Sequence, residues 1–271
     1  MTNINTKKTV KSILGAIASI SLMTIAATAQ TPAEKGLQIA IETDKADTGW
    51  GDSTVAMKMI MANAQGQTTS REIRLKTLEV VGNGVGDKSL TIFDTPRDVK
   101  GTAFLSHTKV LEADDQWLLL PALGRVKRIS SANKSGPFMG SEFAFEDILS
   151  PEVDKYTYTH LRDEACGDLE CFVIERIPTY ENSGYTKQIV WIDKEAYRYI
   201  KIDFYDRKES HIKTLTFSNY NQYLDKYWRA AKFEMVNHQG GKSTILEYDN
   251  YEFATGLTDR DFTSNRLKSI R

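Results

Sequence analysis

Past residue 50 the chain settles into runs in which side chains of contrasting character recur every second position. Val55, Met57, Met59 and Met61 alternate with Ala56, Lys58 and Ile60, a period of two that predicts a strand with a methionine-rich face. After the turn residues Gln65-Gly66-Gln67, Ile73 and Leu75 alternate with Glu72, Arg74 and Lys76, giving a second strand that pairs with the first as a hairpin. Strand-like segments continue at 90–93, 103–111, 116–120, 124–131, 156–162, 169–177, 185–193, 197–205, 212–223, 228–238 and 243–253. Two stretches read as helix instead. The first runs from Pro32 to Ala46, with Leu37, Ala40 and Ile41 sharing a face that should lie on something apolar. The second is a short helix over 142–149, which Ser141 would cap and Pro151 would stop.

About a dozen strands with so few helices for crossovers must join as antiparallel hairpins, so the expected topology is a meander. Strand twist curls open sheets beyond roughly ten strands. The expected fold class is therefore mainly β, rolled into a barrel or half-barrel. A wide or incompletely closed barrel leaves interior room for an apolar ligand.

The candidate lining is Met57, Met59 and Met61, with Trp117 and Leu119, Ile202 and Phe204, and Phe233 and Met235. Methionine is unbranched and polarizable, which suits a surface that accommodates chains of variable shape. The same pattern equally fits a solid core packed on the first helix. Phe138, Met139, Phe143, Phe145, Ile148 and Leu149 concentrate apolar surface around the short helix. That is what a lid over a greasy opening needs, and also what a helix closing a barrel end shows. Glu142 and Glu146 could be an acid–base pair, but acids in a first helical turn are favoured by the macrodipole, and that reading weighs more.

The first stretch bears on compartment. Lys7, Lys8 and Lys11 precede an apolar run over 13–27, and Ala27-Thr28-Ala29 has the form of a signal-peptidase site. Residues 1–29 are thus expected to be a cleaved export signal and 30–271 one β domain, free in solution because no cysteine follows the cut to carry a lipid. Cleavage leaves 242 of the 271 residues and, by removing three lysines and no acid, moves the formal charge from −1 to −4. That balance argues against nucleic acid, whose binding needs clustered Lys and Arg. The two cysteines, Cys166 and Cys171, flank the turn residues Gly167-Asp168. In an oxidising compartment they are expected to form a disulfide across a hairpin end, contributing at the low end of the usual ~2–4 kcal/mol. The four histidines, His107, His160, His211 and His238, fall on separate segments without metal-ligand spacing. No G-x-S-x-G elbow or phosphate-binding lysine loop occurs, and Gly82 to Gly86 reads as a turn. The expectation is a protein without catalytic residues, metal or cofactor.

One long stretch carries a resemblance. Asp115-Gln116-Trp117-Leu118-Leu119-Leu120-Pro121-Ala122-Leu123-Gly124-Arg125-Val126-Lys127-Arg128-Ile129, followed by Gly136-Pro137-Phe138-Met139-Gly140-Ser141-Glu142-Phe143-Ala144-Phe145-Glu146-Asp147, resembles the LolA-like outer-membrane lipoprotein-sorting proteins. The likeness extends in strand order over nearly all of 30–271. It implies a half-barrel of about eleven antiparallel strands closed by short helices, whose hollow shields lipid or lipoprotein acyl chains in transit across the periplasm. It also implies contact with inner-membrane transporters of the RND/MMPL type, either as a shuttle or as an accessory or sensor module.

Overall fold

The computed structural model describes residues 1–2, 30–82 and 84–270. Nearly all of the segment read as an export signal lies outside the described residues. The body from Thr31 onward is built on one sheet of thirteen strands, two more than the resemblance implied. In chain order these are β1 Asp52–Ala62, β2 Thr68–Leu78, β3 Val85–Thr95, β4 Ala103–Lys109, β5 Asp115–Leu120, β6 Arg125–Ile129, β7 Tyr156–Cys166, β8 Leu169–Pro178, β9 Lys187–Asp193, β10 Tyr199–Tyr205, β11 His211–Tyr223, β12 Tyr227–Asn237 and β13 Ser243–Phe253.

Every pairing is antiparallel, and the spatial order is β6-β5-β4-β3-β2-β1-β13-β12-β11-β10-β9-β8-β7. The sheet is open. The first and last strands meet in its middle, Met59 opposite Leu246, while β6 and β7 are its two edges. The chain therefore meanders outward from the centre to one edge, crosses once to the other, and meanders back. That single crossover is residues 130–155, and it is the exception to the predicted run of hairpins.

Helix α1, Pro32–Ala46, has the predicted bounds. Its start is fixed by a capping box in which Thr31 Oγ1 accepts from Glu34 N at 3.2 Å and Glu34 Oε2 accepts from Thr31 N at 2.8 Å. The buried face differs from the predicted one. Gly36, Ile39, Ala40 and Thr43 face inward, whereas Leu37 is 42 % exposed. The reason is Gly36. A Cβ placed there would stand 2.8 Å from both Thr159 N and His160 N, so the bare glycine backbone lets α1 lie directly on β7 and the helix turns that side down.

Both faces of the sheet are covered in part. The inner face carries the main core, including Met57, Met59, Phe93, Phe104, Ile174, Ile202, Phe204, Met235 and Leu246. On the outer face of β3 to β5 lie a 3-10 turn, Asp259–Phe262, and the one-turn helix α2, Ser264–Leu267, which bury Phe262 and Leu267 against Leu90, Ile92, Leu105 and Leu119. A smaller outer cluster of Cys171, Val173, Ile189 and Trp191 backs β8 and β9. The expected disulfide is present, Cys166 to Cys171 with Cα atoms 5.9 Å apart, tying the β7–β8 hairpin at its turn.

Gly36→Ala should lower stability by about 1–2 kcal/mol, because backbone cannot yield to the added methyl and the overpacking outweighs alanine's better helix propensity. Leu37→Ala should stay within about 0.5 kcal/mol of wild type. Urea midpoints of the two variants check this, and a Gly36→Ala protein as stable as wild type would show that α1 is not seated on β7 as described.

Candidate functional site

Because β6 and β7 are opposite edges, the crossover has to span the sheet, and it does so over the inner face, where its Phe138 and Phe143 join the main core. Its backbone does not form the predicted helix over 142–149. Residues 134–138 and 143–146 instead run antiparallel: Phe138 N donates to Phe143 O at 2.7 Å, Phe145 N to Gly136 O at 3.1 Å and Glu146 N to Lys134 O at 2.9 Å. With no helix, there is no macrodipole for Glu142 and Glu146 to meet.

Those two residues anchor the crossover. Glu146 accepts from Gly184 N and Ser183 Oγ at 2.8 Å and from Tyr180 Oη at 2.9 Å, all on the loop between β8 and β9. Burial raises the Glu146 pKa, opposed by these donors. Asp147 is buried, accepts from Ala144 N at 2.7 Å and Tyr185 Oη at 2.8 Å, and faces Lys213 Nζ at 3.7 Å. Glu142 N donates to Thr244 Oγ1 at 3.0 Å, and Asn237 Nδ2 donates to the Glu142 carboxylate at 2.6 Å. Arg71 on β2 donates to Met139 O at 2.5 Å, and Met139 holds a left-handed φ of 51°, a conformation disfavoured for a residue with a Cβ. These polar ties flank a greasy plug. Phe138 and Phe143 are fully buried, and the Phe138 ring lies 5.2 Å from Phe104 and 5.4 Å from Phe145.

Beneath this cap the interior is not filled. A lobe of about 260 Å³ is walled by Ile202, Phe204, Leu215, Phe217 and Phe233 of the sheet and Leu149 of the cap, together with Arg176, Tyr156 and Tyr199. A second lobe of about 220 Å³ is lined by Met57, Leu246, Tyr248, Phe138, Phe143 and Ile148, and shares Asp147, Leu149, Ser150 and Phe233 with the first. Of the predicted lining, Met57, Phe138, Phe143, Ile148, Leu149, Ile202, Phe204 and Phe233 therefore border open space. Met59 and Met235 are fully buried in the core, with Met61, Met139 and Phe145 packed at its margin. Trp117 and Leu119 are a correction: they lie on the outer face under α2, and Leu118 and Leu120 take the inner positions. In a run of three leucines alternation has no contrast to set its phase. A bulge between Tyr199 and Lys201 similarly turns Tyr199 inward and Ile200 outward.

A third space of about 300 Å³ is lined by Asp44, Asp47, Glu79, Asp87 and Glu152 and adjoins the first lobe through Asp47, Pro151, Glu152 and Tyr199. Burial, with Glu79 and Asp47 adding to it, pushes Asp87 up to about 6. Burial and the neighbouring Asp87 push Glu152 up to about 7.

A family model described as "Uncharacterized protein" matches residues 86–269. No curated protein matches the sequence. Among solved structures, a domain from Vibrio parahaemolyticus named for outer membrane lipoprotein sorting is 61 % identical, covers 87 % of this chain and 99 % of its own, and superposes with a TM-score of 0.85. The chain belongs to the LolA-like lipoprotein-sorting family. A DUF1329 family protein from Desulfovibrio piger is 29 % identical with a TM-score of 0.83, over 88 % of this chain and 99 % of its own. A LolA superfamily protein from Nitrosomonas europaea, 22 % identical with a TM-score of 0.67 over 85 % and 99 %, shares the fold.

In this LolA-like chain the histidines are not all apart, as their sequence positions suggested. His211 and His238 have ring centroids 4.5 Å apart and both bond Thr214 Oγ1 at 2.9 Å, beside Asp203. His107 bonds Phe262 O at 2.6 Å and His160 bonds Asp163 at 2.6 Å, both holding structure. Among the described residues no group of His, Cys, Asp and Glu is arranged to hold a metal, and no helix is long and apolar enough to cross a membrane.

The raised Asp87 and Glu152 fix a sign for pH dependence. Between their ordinary values near 4 and their folded values of about 6 and about 7, the folded chain holds more protons than the unfolded one, so this pair makes stability fall as pH rises. Glu152→Gln should therefore gain on wild type as urea midpoints are followed from about pH 5 to about pH 8. Parallel profiles for the two proteins would refute the pairing.

Proposed function

We propose that this protein is an exported carrier that takes an acyl chain into the hollow beneath its cap and hands it on between the two membranes of the envelope. The observation that carries the reading is the unfilled, apolar-walled space of about 260 Å³ and its neighbour of about 220 Å³, lying between the inner face of the sheet and a crossover held down by side-chain bonds. Family membership and the lipoprotein-sorting name of the Vibrio relative support it. The export pattern at 7–29 supports a periplasmic site of action.

The work is physical. Each methylene withdrawn from water contributes about 0.8 kcal/mol, so a hollow of this lining holds a chain that water rejects. Each lobe is smaller than the roughly 300–1,000 Å³ of ordinary ligand pockets, so a full-length acyl chain requires the cap to lift and join the lobes. The cap is suited to this. Its ties to the sheet are side-chain bonds, and Met139 at its tip is held in an unfavourable backbone state by Arg71. Cargo is lipid or a lipoprotein's acyl chains, and the reading needs no covalent step. Contact with an RND/MMPL-type inner-membrane transporter belongs to this reading as the donor or acceptor of cargo.

Mass spectrometry of organic extracts from protein purified from the envelope tests the proposal. Acyl lipid is expected at a stoichiometry approaching one per chain. Consistently lipid-free protein that also takes up none when offered vesicles would contradict it. In-cell cross-linking then separates shuttle from accessory module: a shuttle is captured on both a donor and an acceptor, an accessory on one transporter alone.

A further inference from the structure

Among the described residues, buried and half-buried cations come in two kinds. Lys155 pairs with Asp114 at 2.5 Å, Lys213 with Asp147 at 3.7 Å, Arg198 with Asp193 at 2.7 Å, and Arg229 with Asp47. Arg176 on β8 is buried and lines the apolar lobe, yet among the described residues it forms no ion pair. Its Nε donates to Gln188 Oε1 at 2.6 Å, and its guanidinium lies 4.7 Å from the ring centre of Tyr156 and 5.8 Å from that of Tyr199. Lys134, lining the same lobe, sits 3.7 Å over the Tyr180 ring and likewise forms no ion pair.

Enclosing a guanidinium without a counter-ion is costly, and stacking on tyrosine recovers only about 2 kcal/mol. The carboxylates around the lobe do not supply the missing charge. Asp114, Asp147 and Asp47 are each engaged by their own cation, Glu146 by two hydroxyls and an amide, and Glu152, the remaining carboxylate of the lining, forms no ion pair with Arg176 or Lys134 among the described residues. A planar fork of donors beside an apolar wall of Ile202, Phe204, Leu215, Phe217 and Phe233, in a lining whose carboxylates are otherwise engaged or unpaired with it, matches one ligand chemistry, an oxyanion on a hydrocarbon tail.

We infer that Arg176 recognises the head of the cargo: the hollow takes an amphiphile with an anionic carboxylate or phosphate head, which pairs with Arg176 beside Gln188 and Tyr156 while the tail lies along Ile202, Phe204, Leu215 and Phe233. This rests on the carrier reading and narrows it to anionic cargo.

The test uses the protein from residue 30 onward and three probes sharing one tail, laurate, dodecyl phosphate and dodecanol, each below its micelle concentration, with binding followed by calorimetry. At least one of the two anions is expected to bind about tenfold or more tightly than dodecanol, and the difference between laurate and dodecyl phosphate identifies the head. Arg176→Gln should bring the anions down to the dodecanol level and leave dodecanol binding unchanged. Equal binding of all three by wild type, or an anion preference that survives in Arg176→Gln, overturns the inference and leaves the carrier reading standing. No binding of any probe overturns both. The wild-type comparison needs no variant, so it decides the matter even where Arg176→Gln does not fold.

Discussion

The constraint on which the structure depends is topological. The first and last strands of a thirteen-stranded sheet pair with each other at its centre, so the chain reaches one edge at β6 and must restart at the other edge, β7. A twisted sheet of that width curls, and the short way between its edges runs across the concave side. Strand order thus imposes a crossover, and Phe138 and Phe143 place it on the inner side. Backbone crossing an apolar surface must satisfy its polar groups, which residues 134–146 do by pairing with themselves, with Glu142, Glu146 and Asp147 bonded outward to the sheet and the β8–β9 loop. The hollow is the space that such a strap leaves where the sheet falls away beneath it.

Much of this was legible in the sequence. Period-two patterning located strands such as β1 and β2, which have one wetter and one drier side. The capping residues bounded α1, and the Cys-x₄-Cys spacing across Gly167-Asp168 marked the bridged hairpin. The methionine face of β1 does point inward. The failures have specific causes. The stretch 142–149 has helical spacing, but its carboxylates find partners at 180–185 and at Lys213, remote in sequence, and those bonds prevail over a local helix worth little on its own. Trp117 and Leu119 were assigned to the wrong face because the strand is apolar on both sides, the outer one being covered by a C-terminal segment whose few apolar residues, Phe262 and Leu267, show no recurring pattern. Arg71 and Arg176 were not legible as site residues, since an arginine within an alternating strand reads as solvated until tertiary structure closes over it.

Charge is placed in a consistent way around the hollow. Its walls combine apolar side chains of the sheet with charged groups, its cap is tied by carboxylates that each have a donor or cation of their own, and Arg176 and Lys134 remain as enclosed cations without ion pairs among the described residues. Beside it lies the acidic space of Asp87 and Glu152, where burial and neighbouring carboxylates raise both carboxyls above their ordinary range. In the proposed carrier, a tail held by area and a head held by one fork of donors would give affinity without chemistry. Release in that proposal would depend on the strap rather than on any bond being broken.

The claim that the strap gates the hollow is tested most directly by fastening it. With Glu142→Cys and Thr244→Cys placed where cap and sheet already touch, Glu142 N to Thr244 Oγ1 being 3.0 Å, the rate of transfer of a fluorescent acyl lipid from vesicles is measured before and after reduction. The account predicts that the oxidised protein neither takes up nor releases lipid and that reduction restores exchange. Equal exchange rates in the oxidised and reduced forms would contradict it.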